Sequence, residues 1–170
     1  DSGITGTIRR SIGKLSTLQL LDLRNNMLTG SVPSEVGHLS SITGLFLQTN
    51  ILTGIIPSTV GQLTSLKHLF LHTNQLSGPV PGEVGQLAAL EKIYVYYNHL
   101  TGSLPSEMGN LSTLLHFHAM GNKLTGSIPC EVGNLTALEK LYLHTNLLTG
   151  ALPEEMGRLT ALVRLVLNPN

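Results

Sequence analysis

The chain has a single cysteine, no tryptophan and little charge, and each scarcity excludes something. Cys130 is the only cysteine among 170 residues, so no internal disulfide can form. It stands in a slot filled elsewhere by Ser34, Ser58, Gly82, Ser106 and Glu154, which reads as a small-residue substitution rather than a reactive or partner-linked thiol. Lys plus Arg and Asp plus Glu number 10 each, giving zero net charge with neutral histidine. That balance is not the basic excess of a nucleic-acid binder. No apolar run has the length needed to span a membrane, so no membrane insertion is expected of this segment. No signal peptide is seen, although a mature or partial chain carries none. No linker, low-complexity stretch or charge run breaks the chain, and its length fits one domain over residues 1–170. Aromatic residues are only 4% of the total, so their placement carries information.

What the chain does have is a grid. Asn26, Asn50, Asn74, Asn98, Asn122, Asn146 and Asn170 follow one another every 24 residues. Around them recurs Leu-x-Leu-x-x-Asn-x-Leu-Thr-Gly-x-hydrophobic-Pro-x-x-hydrophobic-Gly-x-Leu. A period of 20–29 residues with this Leu/Asn pattern marks a leucine-rich-repeat solenoid, here of about seven repeats. Each turn is too small to bury its own apolar face, so its neighbours complete the core.

One unit predicts the rest. Leu69 and Leu71 alternate with His68, Phe70 and His72, a short strand with the leucines inward. Stacked turns then make a parallel sheet with strands about 4.8 Å apart. Asn74 ends the strand, and its amide has the donors and acceptor to satisfy backbone groups in a tight turn. Gly78 suits a bend that a side chain would hinder. Val80 before Pro81 is pushed to an extended conformation. Pro81 suits the first position of a helix, and Gly85 suits the C′ position that ends it about one turn later. The expected fold class is therefore an α/β repeat solenoid. It has a parallel concave sheet with strands centred near residues 22, 46, 70, 94, 118, 142 and 166, and short helical or 3₁₀ segments on the convex side. Phe117 and Ala119 replace the Leu141 and Leu143 pair of the next repeat, a volume-conserving exchange.

The phrases Leu28-Thr29-Gly30-Ser31-Val32-Pro33 and Leu124-Thr125-Gly126-Ser127-Ile128-Pro129 resemble the plant-type leucine-rich-repeat family. That family includes receptor-kinase ectodomains and secreted polygalacturonase-inhibiting proteins. The form recurs six times and covers the whole chain. Leu71-His72-Thr73-Asn74 and Leu143-His144-Thr145-Asn146 are similar to repeats of algal proteins of this class. The resemblance implies a right-handed superhelix, often with a second short strand near the Leu-Thr-Gly phrase. It also implies an extracellular or membrane-anchored ectodomain. Two departures stand out. The family's cysteine-paired caps are missing, and the first repeat is degenerate, with Ser2 on the asparagine grid and Arg9 in the proline slot. An uncapped solenoid exposes its core, so the segment is expected to be part of a longer chain. In isolation it is expected to associate end to end through residues such as Leu165 and Leu167.

The outward strand positions are the candidate site. The middle column reads Asp22, Phe46, Phe70, Tyr94, His118, Tyr142, Val166. The column before it reads Leu20, Gly44, His68, Lys92, His116, Lys140, Arg164, and the one after it Arg24, Gln48, His72, Tyr96, Met120, His144, Asn168. Six of seven aromatic residues lie on this face or, like Tyr97, at its lip. The solenoid does not need them there. Cross-strand packing can also place aromatics on an exposed sheet, but exposed apolar patches tend to mark interaction sites. The expected ligand-binding residues are Phe46, Phe70, His72, Lys92, Tyr94, Tyr96, His116, His118, Lys140, Tyr142, His144 and Arg164. On this face and its lip, Arg24, Lys67, Lys92, Lys123, Lys140 and Arg164 outnumber Asp22, Glu91 and Glu139. Five histidines lie there too, so the face should gain positive charge below about pH 6.5. A protein or peptide, acidic in character, or an acidic glycan fits such a face. A chance excess of three charges explains the count equally well.

Other chemistry finds less support. His116, His118 and His144 lack a carboxylate or thiol placed to complete a zinc site, and Lys92 and Lys140 flank them, so no metal and no cofactor is expected. No Ser-His-Asp arrangement is anchored in a pocket, and open solenoid faces suit recognition better than catalysis. Asn110-Leu111-Ser112 and Asn134-Leu135-Thr136 are glycosylation sequons in one convex slot, where Gln62, Gln86 and His38 stand in other repeats. The leading expectation is a non-catalytic recognition module of an extracellular receptor or inhibitor. The alternatives are an assembly scaffold within a larger complex, and an ice- or mineral-binding surface built on Thr5, Thr29, Thr53, Thr101, Thr125 and Thr149, a ladder broken only by Ser77.

Overall fold

The computed structural model describes residues 3–170. Ser2 of the degenerate first repeat lies outside them. Seven strands (Leu20–Asp22, Gly44–Phe46, His68–Phe70, Lys92–Tyr94, His116–His118, Lys140–Tyr142 and Arg164–Val166) form one parallel sheet in chain order. Each residue pairs with the one 24 positions away, as Leu45 does with Leu69 and Phe70 with Tyr94. The repeat length is thus also the register, and every column of like residues becomes a physical stripe. The strands lie where the period places them. The inward rows are sealed: Leu45, Leu69, Ile93, Phe117 and Leu141 form one row, Leu47, Leu71, Val95, Ala119 and Leu143 the other, all at most 1% exposed. The Phe117 and Ala119 pair fills its turn as the volume argument requires.

A second, interrupted set of short parallel strands follows the Leu-Thr-Gly phrase. Thr5–Thr7 pairs with Met27–Thr29, Thr53–Gly54 with Gln75–Gly78, Gln75–Gly78 with His99–Leu100, and Thr125–Gly126 with Leu147–Leu148. Here partners are 22 residues apart, as in Thr53 with Gln75. Gly78 has φ of +72°, the left-handed bend expected of it.

The asparagines tie one turn to the next. Asn74 Nδ2 donates to the Leu71 and Leu47 carbonyls at 3.1 and 3.0 Å, and its Oδ1 accepts from the Leu52 amide at 3.0 Å. Asn98, Asn122 and Asn146 repeat the arrangement. One side chain therefore satisfies three backbone groups that the narrow interior would otherwise leave unpaired.

The opposite side carries seven five-residue 3₁₀ segments, such as Ser34–His38, Gly82–Gln86 and Cys130–Asn134. Two helix-end expectations need correction. Proline does not occupy the first helical position. Pro81 is the N-cap, extended at φ −68° and ψ 139°, and Arg9 takes the same conformation in its slot. Gly85 is not a C′ residue either; it lies inside Gly82–Gln86, and Leu87 is the C-cap. Its reason is proximity: a Cβ there would stand 2.2 Å from the Glu107 carbonyl oxygen of the next turn. At Gly37, Gly61, Gly109 and Gly133 a Cβ would stand 2.4–2.6 Å from a carbonyl oxygen of the following turn. Glycine at this slot lets successive 3₁₀ segments touch.

Candidate functional site

Side chains on the outer face of the seven-stranded sheet stand away from the core, and the 24-residue register sets them in file. Phe46, Phe70, Tyr94, His118 and Tyr142 become one stack. Successive ring centroids are 5.0, 4.4, 4.3 and 4.4 Å apart. Interplanar angles are 30° for Phe46 and Phe70, 6° for the next two pairs and 20° for His118 and Tyr142. These separations match the strand spacing of about 4.8 Å, so the rings stand up from the sheet and cover one another's faces. The Arg24 guanidinium lies 5.7 Å from the Phe46 centroid and closes that end, while also pairing with Asp22 at 2.8 Å. Alongside, His72 stacks on Tyr96 at 4.1 Å.

The other flank is ionic and alternates from turn to turn. Glu91 bridges back to Lys67 at 3.2 Å and to His68 at 3.7 Å, and Glu139 bridges back to His116 at 3.4 Å. Between and beyond these pairs stand Lys92, Lys140 and Arg164, which form no ion pair among the described residues. His116 joins the flank to the stack: its Nδ1 is 2.9 Å from the Tyr94 hydroxyl, and its Nε2 faces Glu139. With the ring proton on Nε2 toward the carboxylate, Nδ1 accepts from the tyrosine. The series Tyr94–His116–Glu139 thus links the ring stack to the ionic flank.

All twelve predicted ligand-binding residues therefore share one face, Arg164 exposed and the others half-buried. The charge count along the sequence placed Glu91 and Glu139 on this face but did not anticipate their pairing with His68 and His116; the signal for it is the repeated phrase Glu-Lys-x-Tyr at 91–94 and 139–142. Nor did sequence reasoning anticipate Gly121, whose position (φ +66°) is free of a side chain that would clash with the Tyr97 ring.

The pH expectation is corrected. Burial holds His72 and His118 down at about 4, and His116 and Lys140 add to the effect on His118. Burial, with Lys92 for His68 and Lys140 for His116, also lowers those two. Closely packed rings disfavour the charged imidazolium, so these four histidines gain a proton only at lower pH than isolated histidines would. His118 Nε2 and His144 Nδ1 are buried without a hydrogen-bond partner among the described residues. No group of three or more His, Cys, Asp or Glu among the described residues is arranged to hold a metal ion.

The remaining candidates lie elsewhere. Asn110 and Asn134 end the segments Ser106–Asn110 and Cys130–Asn134 on the opposite side, and both are exposed. Cys130 is exposed, and a hydrogen bond with Glu131 pushes its thiol pKa up, away from a reactive thiolate. Among the described residues no helix is long and apolar enough to cross a membrane.

Comparison with known proteins agrees with this architecture. Leucine rich repeat family profiles match residues 17–39 and 40–100. Curated proteins yield no match. Among solved structures, the plant peptide hormone receptor RGFR1, in complex with RGF2, is 40% identical with a TM-score of 0.91, over 93% of this chain and 25% of that one. The Arabidopsis receptor kinase HAESA ectodomain, in complex with an IDA peptide hormone, is 41% identical with a TM-score of 0.90, over 96% of this chain and 27% of that one. A plant ice-binding protein is 28% identical with a TM-score of 0.80, over 99% of this chain and 62% of that one. The chain thus spans about a quarter of the length of the receptors it matches. With its asparagine ladder, 24-residue register and these likenesses, the chain belongs to the leucine-rich-repeat family, in the plant-type form found in receptor-kinase ectodomains.

Proposed function

We propose that residues 1–170 form one non-catalytic recognition domain that binds a protein or peptide on the outer face of the seven-stranded sheet, in an extracellular setting. The observation that carries this reading is the five-ring stack beside unpaired Lys92, Lys140 and Arg164, a surface the core does not require. The peptide hormones bound by the similar receptors support the ligand class. On this reading the exposed Asn110 and Asn134 are free to carry glycans on the opposite side.

The test uses peptides selected from a random library against this chain. Phe70→Ala combined with Tyr94→Ala should cost at least about 2 kcal/mol of binding, since aromatic and basic contacts dominate such interfaces. Circular dichroism should barely change, because both rings lie outside the core. Reversing the charge at Lys92 should slow association and weaken its salt dependence. Substitutions at Glu131 or Asn134 should have no effect. Unaltered affinity in the ring variants, with loss at Glu131 or Asn134, would instead support the scaffold role.

One observation favours a second reading. Thr29, Thr53, Thr101, Thr125 and Thr149 are exposed along a separate edge with the half-buried Ser77, and a plant ice-binding protein has a similar structure. If this ladder met ice, the chain would inhibit ice recrystallisation, and Thr53→Glu with Thr101→Glu would abolish that effect. Recrystallisation at the rate of a buffer control would eliminate this reading.

A further inference from the structure

We infer that the ligand of this face is an acidic peptide in the polyproline II conformation, with carboxylates three residues apart, rather than an acidic glycan. The inference rests on the recognition reading above and narrows its ligand.

The first argument concerns what the stack leaves open. Sugars are held by aromatic side chains mainly through contact of their C–H faces with open ring faces. Here the ring faces from Phe46 to Tyr142 are filled by the neighbouring rings, at 4.3–5.0 Å. Arg24 covers the outer side of Phe46, and the strand of Val166 lies beyond Tyr142. A ligand meets ring edges, which carry the positive end of the aromatic quadrupole. Carbonyl and carboxylate oxygens suit such edges, and a peptide main chain offers one carbonyl per residue.

The second argument is spacing. Lys92 and Lys140 lie two strands apart, about 9.5 Å at the ordinary strand separation. Between them His116 is engaged by Glu139, so the middle position offers no free cation. The flank therefore reads cation, carboxylate-bound neutral imidazole, cation. In polyproline II the rise is about 3.1 Å with three residues per turn, so residues i and i+3 share a face about 9.3 Å apart. In a β-strand, same-face residues are about 6.7 or 13 Å apart, and neither matches as well. Carboxylates at i and i+3 would reach both lysines, and the residues between would pass the Glu139 carboxylate uncharged.

The probes are synthetic peptides: four Glu-Pro-Pro units, a peptide of the same composition with its glutamates adjacent, and a Lys-Pro-Pro version. Trigalacturonate serves as the glycan probe. The Glu-Pro-Pro peptide should bind roughly tenfold more tightly than the adjacent-glutamate peptide, and Lys92→Glu or Lys140→Glu should each weaken it by roughly tenfold. Thermal melts of each variant check that the fold is retained. Equal binding of the two acidic peptides, trigalacturonate binding that outlasts peptide competition, or no peptide binding at millimolar concentration overturns the inference. Failure of the recognition reading looks different: the peptides bind, yet Phe70→Ala with Tyr94→Ala leaves their affinity unchanged.

Discussion

At the scale of single residues, polarity inside and aromaticity outside both follow from the repeat. Asn98 is 5% exposed, yet it is not a liability, because each of its polar atoms meets a backbone group of its own or an adjacent turn. The histidines show the opposite case, where neighbours set the chemistry. His118 lies between Tyr94 and Tyr142, and burial depresses its pKa to about 4. The unfolded chain, with an ordinary value near 6.5, binds the proton first. Stability from neutral His118 is therefore complete above about pH 6.5 and is lost as the pH falls toward 4. His118→Phe keeps a ring in the stack and removes the titration. Its melting temperature should fall less than that of the parent between pH 7 and pH 4. An identical decline in both proteins would mean that His118 does not titrate in this way.

At the scale of elements, the 3₁₀ segments show how closely the turns approach. The C-caps, such as Leu87, donate their amide within their own segment, and the glycine slot supplies the contact with the next one. Gly85→Ala forces a methyl against a backbone carbonyl that cannot move without its whole turn, so it should cost about 1–3 kcal/mol. Gly157 occupies the equivalent slot, but a Cβ there meets no atom within 4 Å. Gly157→Ala should therefore be near neutral. Denaturant unfolding of both variants checks the pair, and equal losses would show that backbone freedom, not proximity, requires the glycine.

At the scale of the whole molecule, the extensive contacts join successive turns, as strand to next strand and 3₁₀ segment to next segment. Such a solenoid is close to a one-dimensional array whose stability sums over turns and their interfaces. The rows Leu69, Ile93, Phe117 and Leu141 are sealed on both sides, whereas Leu165 is 39% exposed. Amide hydrogen exchange should be slowest in the strands His68–Phe70 to His116–His118 and faster toward both ends. Uniform protection along the chain would show a single cooperative unit instead. The same one-dimensional order gives a long, regular face on which a ligand can span several turns.

The amino-acid sequence alone determined the period, the inward leucines, the asparagine ladder and the membership of the outward columns. All of these depend on local alternation and on identity between repeats. Tertiary structure decided what those columns do when set side by side. Only at strand spacing do Phe70 and Tyr94 close each other's faces, does Glu139 reach back across a turn to His116, and does burial lower the affinity of His118 for a proton. Only there does Gly85 prove to be a contact rather than a helix stop. Each of these depends on distances between residues about 24 positions apart, which a linear pattern indicates but does not measure. Whether Lys92 stays free while His116 is engaged is settled by which neighbour is within reach, and that is a property of the folded stack.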